Sequence, residues 1–240
     1  MQVRFSPVLR IEQRDGIAIF QDQIRADYPL FEQITAQQLR IELAGGAPNL
    51  LPVTTSAWQF ENADRSHRLT IGAESATLEA LNYEGRGAFL ARWIEILARL
   101  QAIYGPGLSM RTGARYVNRL DGDALVHLTE LVEPNFVGVA QPQLRDHVLH
   151  ALSEAALKVD EGNATLRWGI LEAGTTIDPS LLEQISHPSW ILDIDVYAQE
   201  QATFDVERLA ETFEGLAKRA YALFRYAMKD SALSYFGPAA

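Results

Sequence analysis

The chain has 240 residues, 48% of them hydrophobic, and a formal net charge of -10. That suits one large domain or two halves packed as one unit, and it excludes a disordered chain. The acidic balance argues against nucleic acid and anionic membranes, which reward basic surfaces, and the lack of cysteine excludes disulfides, thiolate zinc sites and a cysteine nucleophile.

Residues 2–5 read as a short strand closed by Ser6 and Pro7, without the long apolar run of a signal peptide. No later apolar run approaches the roughly 20 residues that span a bilayer, so a cytoplasmic protein with no membrane partner is expected. Asp15 is a candidate N-cap for a helix on which Ile17, Phe20, Ile24 and Tyr28 recur at helical spacing, and Pro29 ends or bends it. Residues 37–43 alternate as a strand, and 44–49 make a Gly- and Pro-bearing loop. A meander follows, with strands at 57–61, 68–71 and 75–83 and a turn at 62–65. Gly85-Arg86-Gly87 breaks it. A helix is then predicted over 88–104, with Leu90, Trp93, Ile94, Leu97, Leu100 and Tyr104 on its buried stripe and Arg92, Glu95 and Arg99 on its wet side. Gly105-Pro106-Gly107 stops it.

Residues 108–121 read as the strand that matters most. Side chains alternate across a pleated strand. Arg111, Gly113, Arg115, Val117 and Arg119 therefore share one face, and Met110, Thr112, Ala114, Tyr116, Asn118 and Leu120 the other. Residues 121–142 are irregular, with a short helical turn hinted by Leu125, Leu128, Leu131 and Val132. Signals conflict over 144–159: Val148, Leu152, Ala155 and Val159 favour a helix, whereas Ala155, Leu157 and Val159 alternate as in a strand. A turn at 160–163 and a strand at 164–171 follow. Residues 178–188 are polar and include a helical turn. Residues 190–197 are a clear strand, with Ile191, Asp193, Asp195 and Tyr197 on one face and Leu192, Ile194 and Val196 on the other. The last helix starts at Thr203 or Asp205 and runs to about Lys229. Its stripe of Val206, Leu209, Phe213, Leu216, Ala220, Phe224 and Ala227 is widened by Tyr221, Leu223, Tyr226 and Met228. Such width means burial within the sheet's grip or cover by a second copy in a homodimer. The tail, with Tyr235 and Phe236, is expected to dock on the body.

Each half thus reads as antiparallel strands followed by a long amphipathic helix. The expected fold is a single α+β domain, with curved antiparallel sheets around two or three long helices and two similar halves at about 1–121 and 143–236.

Four landmarks, Trp58-Gln59-Phe60, Leu81-Asn82-Tyr83 before a helix, Arg115-Tyr116-Val117-Asn118-Arg119, and Leu192-Asp193-Ile194-Asp195, resemble in order and spacing a sporadically distributed family of uncharacterised bacterial proteins. The resemblance covers nearly the whole chain and rests most on the last two segments. It implies an α+β fold with 149–159 as strand, and it suits an accessory, defence- or toxin-linked role. It transfers no activity. The family's acidic aromatic segment after the last helix is matched only loosely by residues 229–236.

The candidate ligand-binding set is Arg111, Arg115, Arg119, Asn118, Asp193 and Asp195. Arginine and carboxylate groups pair through planar, bidentate contacts. A cross-strand ion-pair ladder is the plainer outcome; a polar cleft for a protein partner or a small polar or anionic ligand is the sharper one. No catalytic residue is assigned. Asp193 and Asp195, roughly 6–7 Å apart by strand rise, support an alternative reading as a small hydrolase or transferase acting on a phosphorylated substrate with the arginines. His67, His127, His147, His150 and His187 form no ligand pattern, so no metal is expected. Gly85-Arg86-Gly87 lacks the Walker lysine and dinucleotide spacing, so no cofactor is expected either.

Overall fold

The computed structural model describes residues 1–44 and 47–236, the backbone alone within 36–55. The fold is α+β. The chain divides into two compact units. The first comprises Met1–Tyr83, Ala91–Arg111 and Glu200–Val206; the second comprises Glu84–Leu90, Thr112–Gln199 and Glu207–Ala240.

The first unit holds β1 (Gln2–Phe5), a 3-10 turn at Leu9–Glu12, α1 (Arg14–Ile24), β2 (Leu30–Ala44), β3 (Ala47–Glu61), β4 (His67–Gly72) and β5 (Ser75–Ala80). It also holds most of α2 (Arg86–Tyr104), the first residues of β6 (Leu108–Leu120) and the two-residue β10 (Ala202–Thr203). Its strand order is β2-β3-β4-β5-β1-β6, with β10 on β6. Period-two alternation buries Trp58 and Phe60 of β3, Leu69 and Ile71 of β4, Ala76 and Leu78 of β5, and Val3 and Phe5 of β1. The apolar stripes of α1 (Ile17, Phe20, Ile24) and α2 (Trp93, Ile96, Leu97, Leu100) are buried as well. Two long-range hydrogen bonds fix α1 and its entry turn: Trp58 Nε1 donates to the Ile11 carbonyl at 2.6 Å, and the Tyr104 hydroxyl to the Gly16 carbonyl at 2.9 Å. Gly16 has no room for a side chain, because a Cβ there would lie 1.9 Å from the Arg10 carbonyl oxygen.

Several expectations need adjustment. Gln13, not Asp15, is the N-cap of α1. Strands β2 and β3 outrun the predicted 37–43 and 57–61, and most of the predicted 44–49 loop is strand; Gly45 and Gly46 lie outside the described residues. Helix α2 begins at Arg86, one residue after Gly85, whose φ of 120° is open to glycine. Ile96 is buried where Ile94 was predicted: the two are about 200° apart round the helix, and Ile96 sits three residues after Trp93 and four before Leu100, in line with the buried stripe.

The second unit holds the rest of β6, then three one-turn helices, α3 (Gly122–Val126), α4 (Leu128–Leu131) and α5 (Pro134–Val137), where one was expected. A 3-10 turn at Arg145–His147 precedes β7 (Ala151–Val159), β8 (Gly162–Leu171) and β9 (Ser189–Ala198); α6 (Val206–Ala227, from Glu207 onward in this unit) and α7 (Asp230–Phe236) close it. The strand order is β6-β9-β8-β7, all antiparallel. Residues 151–159 are therefore strand, which settles the conflicting local signals: pairing with β8 outweighs the helix preference of the alanines. Ile194, Leu192 and Val196 of β9, Ala164 and Leu166 of β8, and Leu209, Phe213, Leu216 and Ala220 of α6 are all buried. The widened stripe of α6 is only partly covered: Met228 is buried, whereas Tyr221 and Tyr226 are exposed. Lys229, just before α7, donates to the Thr129 carbonyl at 2.7 Å and the Ser231 hydroxyl to the Glu130 carbonyl, but the aromatics expected to dock, Tyr235 and Phe236, are exposed. The rest of the predicted tail, from Gly237, lies outside the described residues.

Candidate functional site

The site lies within the second unit, on one face of β6-β9-β8-β7. Register places Arg115 opposite Asp195 and Val117 opposite Asp193. Asp193 continues to Arg167 on β8, and Arg167 to Glu154 on β7. Because opposed residues share a face, the row Val117–Asp193–Arg167–Glu154 runs beside the row Arg115–Asp195–Thr165–Ala156.

Arg115 forks onto a carboxylate other than the one directly opposite it. It reaches diagonally to Asp193, with Nε 2.8 Å from Oδ1 and Nη2 3.0 Å from Oδ2, and its Nη1 donates to Asp178 Oδ2 at 2.8 Å. This side-on fork is the strongest geometry an arginine offers a carboxylate. Asp193 is 2% exposed. A second guanidinium supports it more loosely: Arg167 Nη1 lies 3.8 Å from Oδ2, while Arg167 Nε holds Glu154 at 2.5 Å. Burial works against the Arg115 charge, but the two carboxylates more than compensate and raise its pKa.

Asp178 belongs to the loop 172–188 between β8 and β9. Its Oδ1 accepts from the Ser180 backbone N–H at 3.1 Å and from the Ser180 hydroxyl at 2.7 Å, an Asx turn. Its main-chain carbonyl accepts from Leu181 and Leu182, which forms the helical turn expected in this segment. Partial burial raises the Asp178 pKa, yet the bonds from Ser180 and Arg115 outweigh it and leave the carboxyl below its ordinary range. The same loop is tied a second time: Arg119 Nη2 donates to the Glu183 carbonyl at 2.6 Å. On β9, Ile191 and Asp193 are as buried as Leu192 and Ile194, whereas Asp195 and Tyr197 farther along the same face are half-buried.

The predicted set therefore divides. Arg115 and Asp193 are in contact. Arg119 shares their strand face and holds the loop. Its Nε is buried with no hydrogen-bond partner among the described residues. Asp195 lies in register between Arg115 and Thr165 and is half-buried. Asn118 is on the opposite face, where its amide donates to the Leu192 carbonyl at 3.2 Å. Arg111 falls in the first unit, and its Nη1 donates to Gln2 Oε1 at 3.1 Å. Sequence reasoning missed Asp178, Arg167 and Glu154. Asp178-Pro179-Ser180 carries a readable turn signal; Arg167 and Glu154 become visible only through register.

Among the described residues, no group of three or more His, Cys, Asp or Glu side chains could hold a metal ion. His147 and His150 are exposed, one on a 3-10 turn and the other outside any element. Again among the described residues, no helix is long and apolar enough to cross a membrane. No protein-family model, curated protein or solved structure matches the chain.

Proposed function

We propose that this chain is a non-enzymatic binding module that takes a protein partner on the polar face of β6 and β9, through the loop strapped across it. The carrying observation is the 172–188 loop. Antiparallel neighbours such as β8 and β9 are ordinarily joined by about 2–5 residues, and irregular loops beyond about 12–15 residues are uncommon and mostly functional. Here such a loop is held at Asp178 by Arg115 and at Glu183 by Arg119. Arg115 has its Nε and both terminal nitrogens engaged, so its role is to hold the platform. Arg119 spends only Nη2 on the loop, and its remaining terminal N–H groups, rather than the buried Nε, are fitted to meet a partner's carbonyl or carboxylate.

The hydrolase or transferase alternative has less support. Both oxygens of Asp193 are held by guanidinium nitrogens and the residue is buried, which leaves it out of a substrate's reach. A cytoplasmic setting accords with the absence of cysteine, and the accessory role belongs to the resemblance with the bacterial family.

Affinity capture with wild type, Arg119→Ala and a variant whose 172–188 loop is replaced by a short turn tests the proposal. A protein retained by wild type and lost by both variants, with the Arg119→Ala melting temperature unchanged, is expected. Turnover of para-nitrophenyl phosphate that disappears in Asp195→Asn would overturn it in favour of the alternative.

A further inference from the structure

Strand β7 ends the strand order and pairs with β8 alone, so alternate backbone N–H and C=O groups along its outer side have no strand partner among the described residues. Proteins usually blunt such an edge with proline, a bulge, charge or shortness. Ala151–Val159 contains no proline, pairs with β8 without a break in register, and is exposed over most of its length, Leu152 and Leu157 included. Its charges are Glu154 and Lys158.

We propose that β7 is a self-association edge: a second copy of this chain adds its own β7 antiparallel about a two-fold axis through Ala156. The register follows from charge. Two-fold pairing that keeps the pleat in phase joins residues of like parity. An axis at Glu154 or at Lys158 puts like charges directly opposite, and one at Leu157 sets Glu154 against the partner's Asp160. An axis at Ala155 leaves Lys158 facing the partner's Leu152. Only the axis at Ala156 sets Glu154 opposite the partner's Lys158, and does so twice by symmetry, with small alanines meeting at the centre. On the other face Leu157 then covers the partner's Ala155. Main-chain hydrogen bonds give the affinity and the paired charges the selectivity, as in strand addition generally. Lys158 thus guards the edge against unrelated strands and matches its own copy. Glu154 keeps its exposed contact with Arg167 on the inner side. The edge is separate from the Asp178 and Arg119 ties, so this proposal stands or falls apart from the one above.

Sedimentation velocity of the full chain over a concentration series tests it. Wild type is expected to dimerise reversibly. Lys158→Glu and Glu154→Lys each weaken the homodimer about tenfold or more, because both cross-strand pairs turn repulsive. An equimolar mixture of the two variants recovers a dimer of wild-type strength, because each then meets its opposite charge. Circular dichroism spectra that match wild type show that the variants fold. A wild type that stays monomeric at every concentration, a dimer indifferent to Lys158→Glu, or a mixture that fails to pair would each overturn the proposal.

Discussion

Replacing Arg115 by alanine removes the fork on Asp193 and the outer tie on Asp178 in one step. Asp193, 2% exposed, would keep only Arg167 at 3.8 Å. Breaking a buried pair on one side costs about 3–5 kcal/mol, because a charge is left without its partner; an exposed pair is worth about 0–1 kcal/mol. Arg115 is itself 28% exposed, so water relieves part of the loss, and a cost of about 2–4 kcal/mol is expected. Urea denaturation should show the midpoint falling accordingly, whereas Arg167→Ala, which touches a half-exposed side chain, should cost about 1 kcal/mol or less. The double variant Arg115→Met with Asp193→Leu should recover much of the loss, because no buried charge is then stranded. An Arg115→Ala cost no larger than that of Arg167→Ala would refute the reasoning, because Asp193 would then be solvated after all.

Gly16→Ala should destabilise the first unit by about 2 kcal/mol or more: the overlap with the Arg10 carbonyl exceeds the roughly 1 kcal/mol that alanine gains over glycine in a helix, and a thermal melt checks it. Gly169→Ala should loosen β7 from β8, since its Cβ would meet the Ala151 carbonyl oxygen at 1.9 Å and its φ is +141°; amide exchange along 151–159 should rise. Acid should release the loop. The Asp178 pKa is depressed in the folded chain, so its contribution is present above the ordinary carboxylate pKa and is lost as pH falls through the lower folded value. Proteolysis at 172–188 should therefore accelerate in that acid window, and Asp178→Asn should show the fast cleavage already at neutral pH.

The alternation of β6 and β9 was legible because it is local: a period of two gives the faces without knowledge of neighbours. It placed arginines and aspartates on matching faces, and register then brought those faces together. It could not choose the diagonal Arg115–Asp193 contact over the direct opposition of Asp195, because side-chain reach and the Asp178 tie decide that. The burial of Asp193 on the acidic face was illegible for the same reason. Alternation reports what a strand presents, not what crosses over it. Asn118 shows the cost of grouping by chain proximity, since it stands between Arg115 and Arg119 in the chain and faces the other way. Over 144–159 local propensity pointed both ways, and the hairpin ladder with β8 decided for 151–159.

Hydrogen exchange across residues 172–188 in wild type and Arg115→Lys tests the central claim most directly. Lysine keeps the positive charge but not the planar fork that joins Asp193 to Asp178. The account predicts faster exchange confined to the loop and to β9 near Asp193, with the first unit unchanged. Exchange in the loop that is equally slow in both proteins would contradict it.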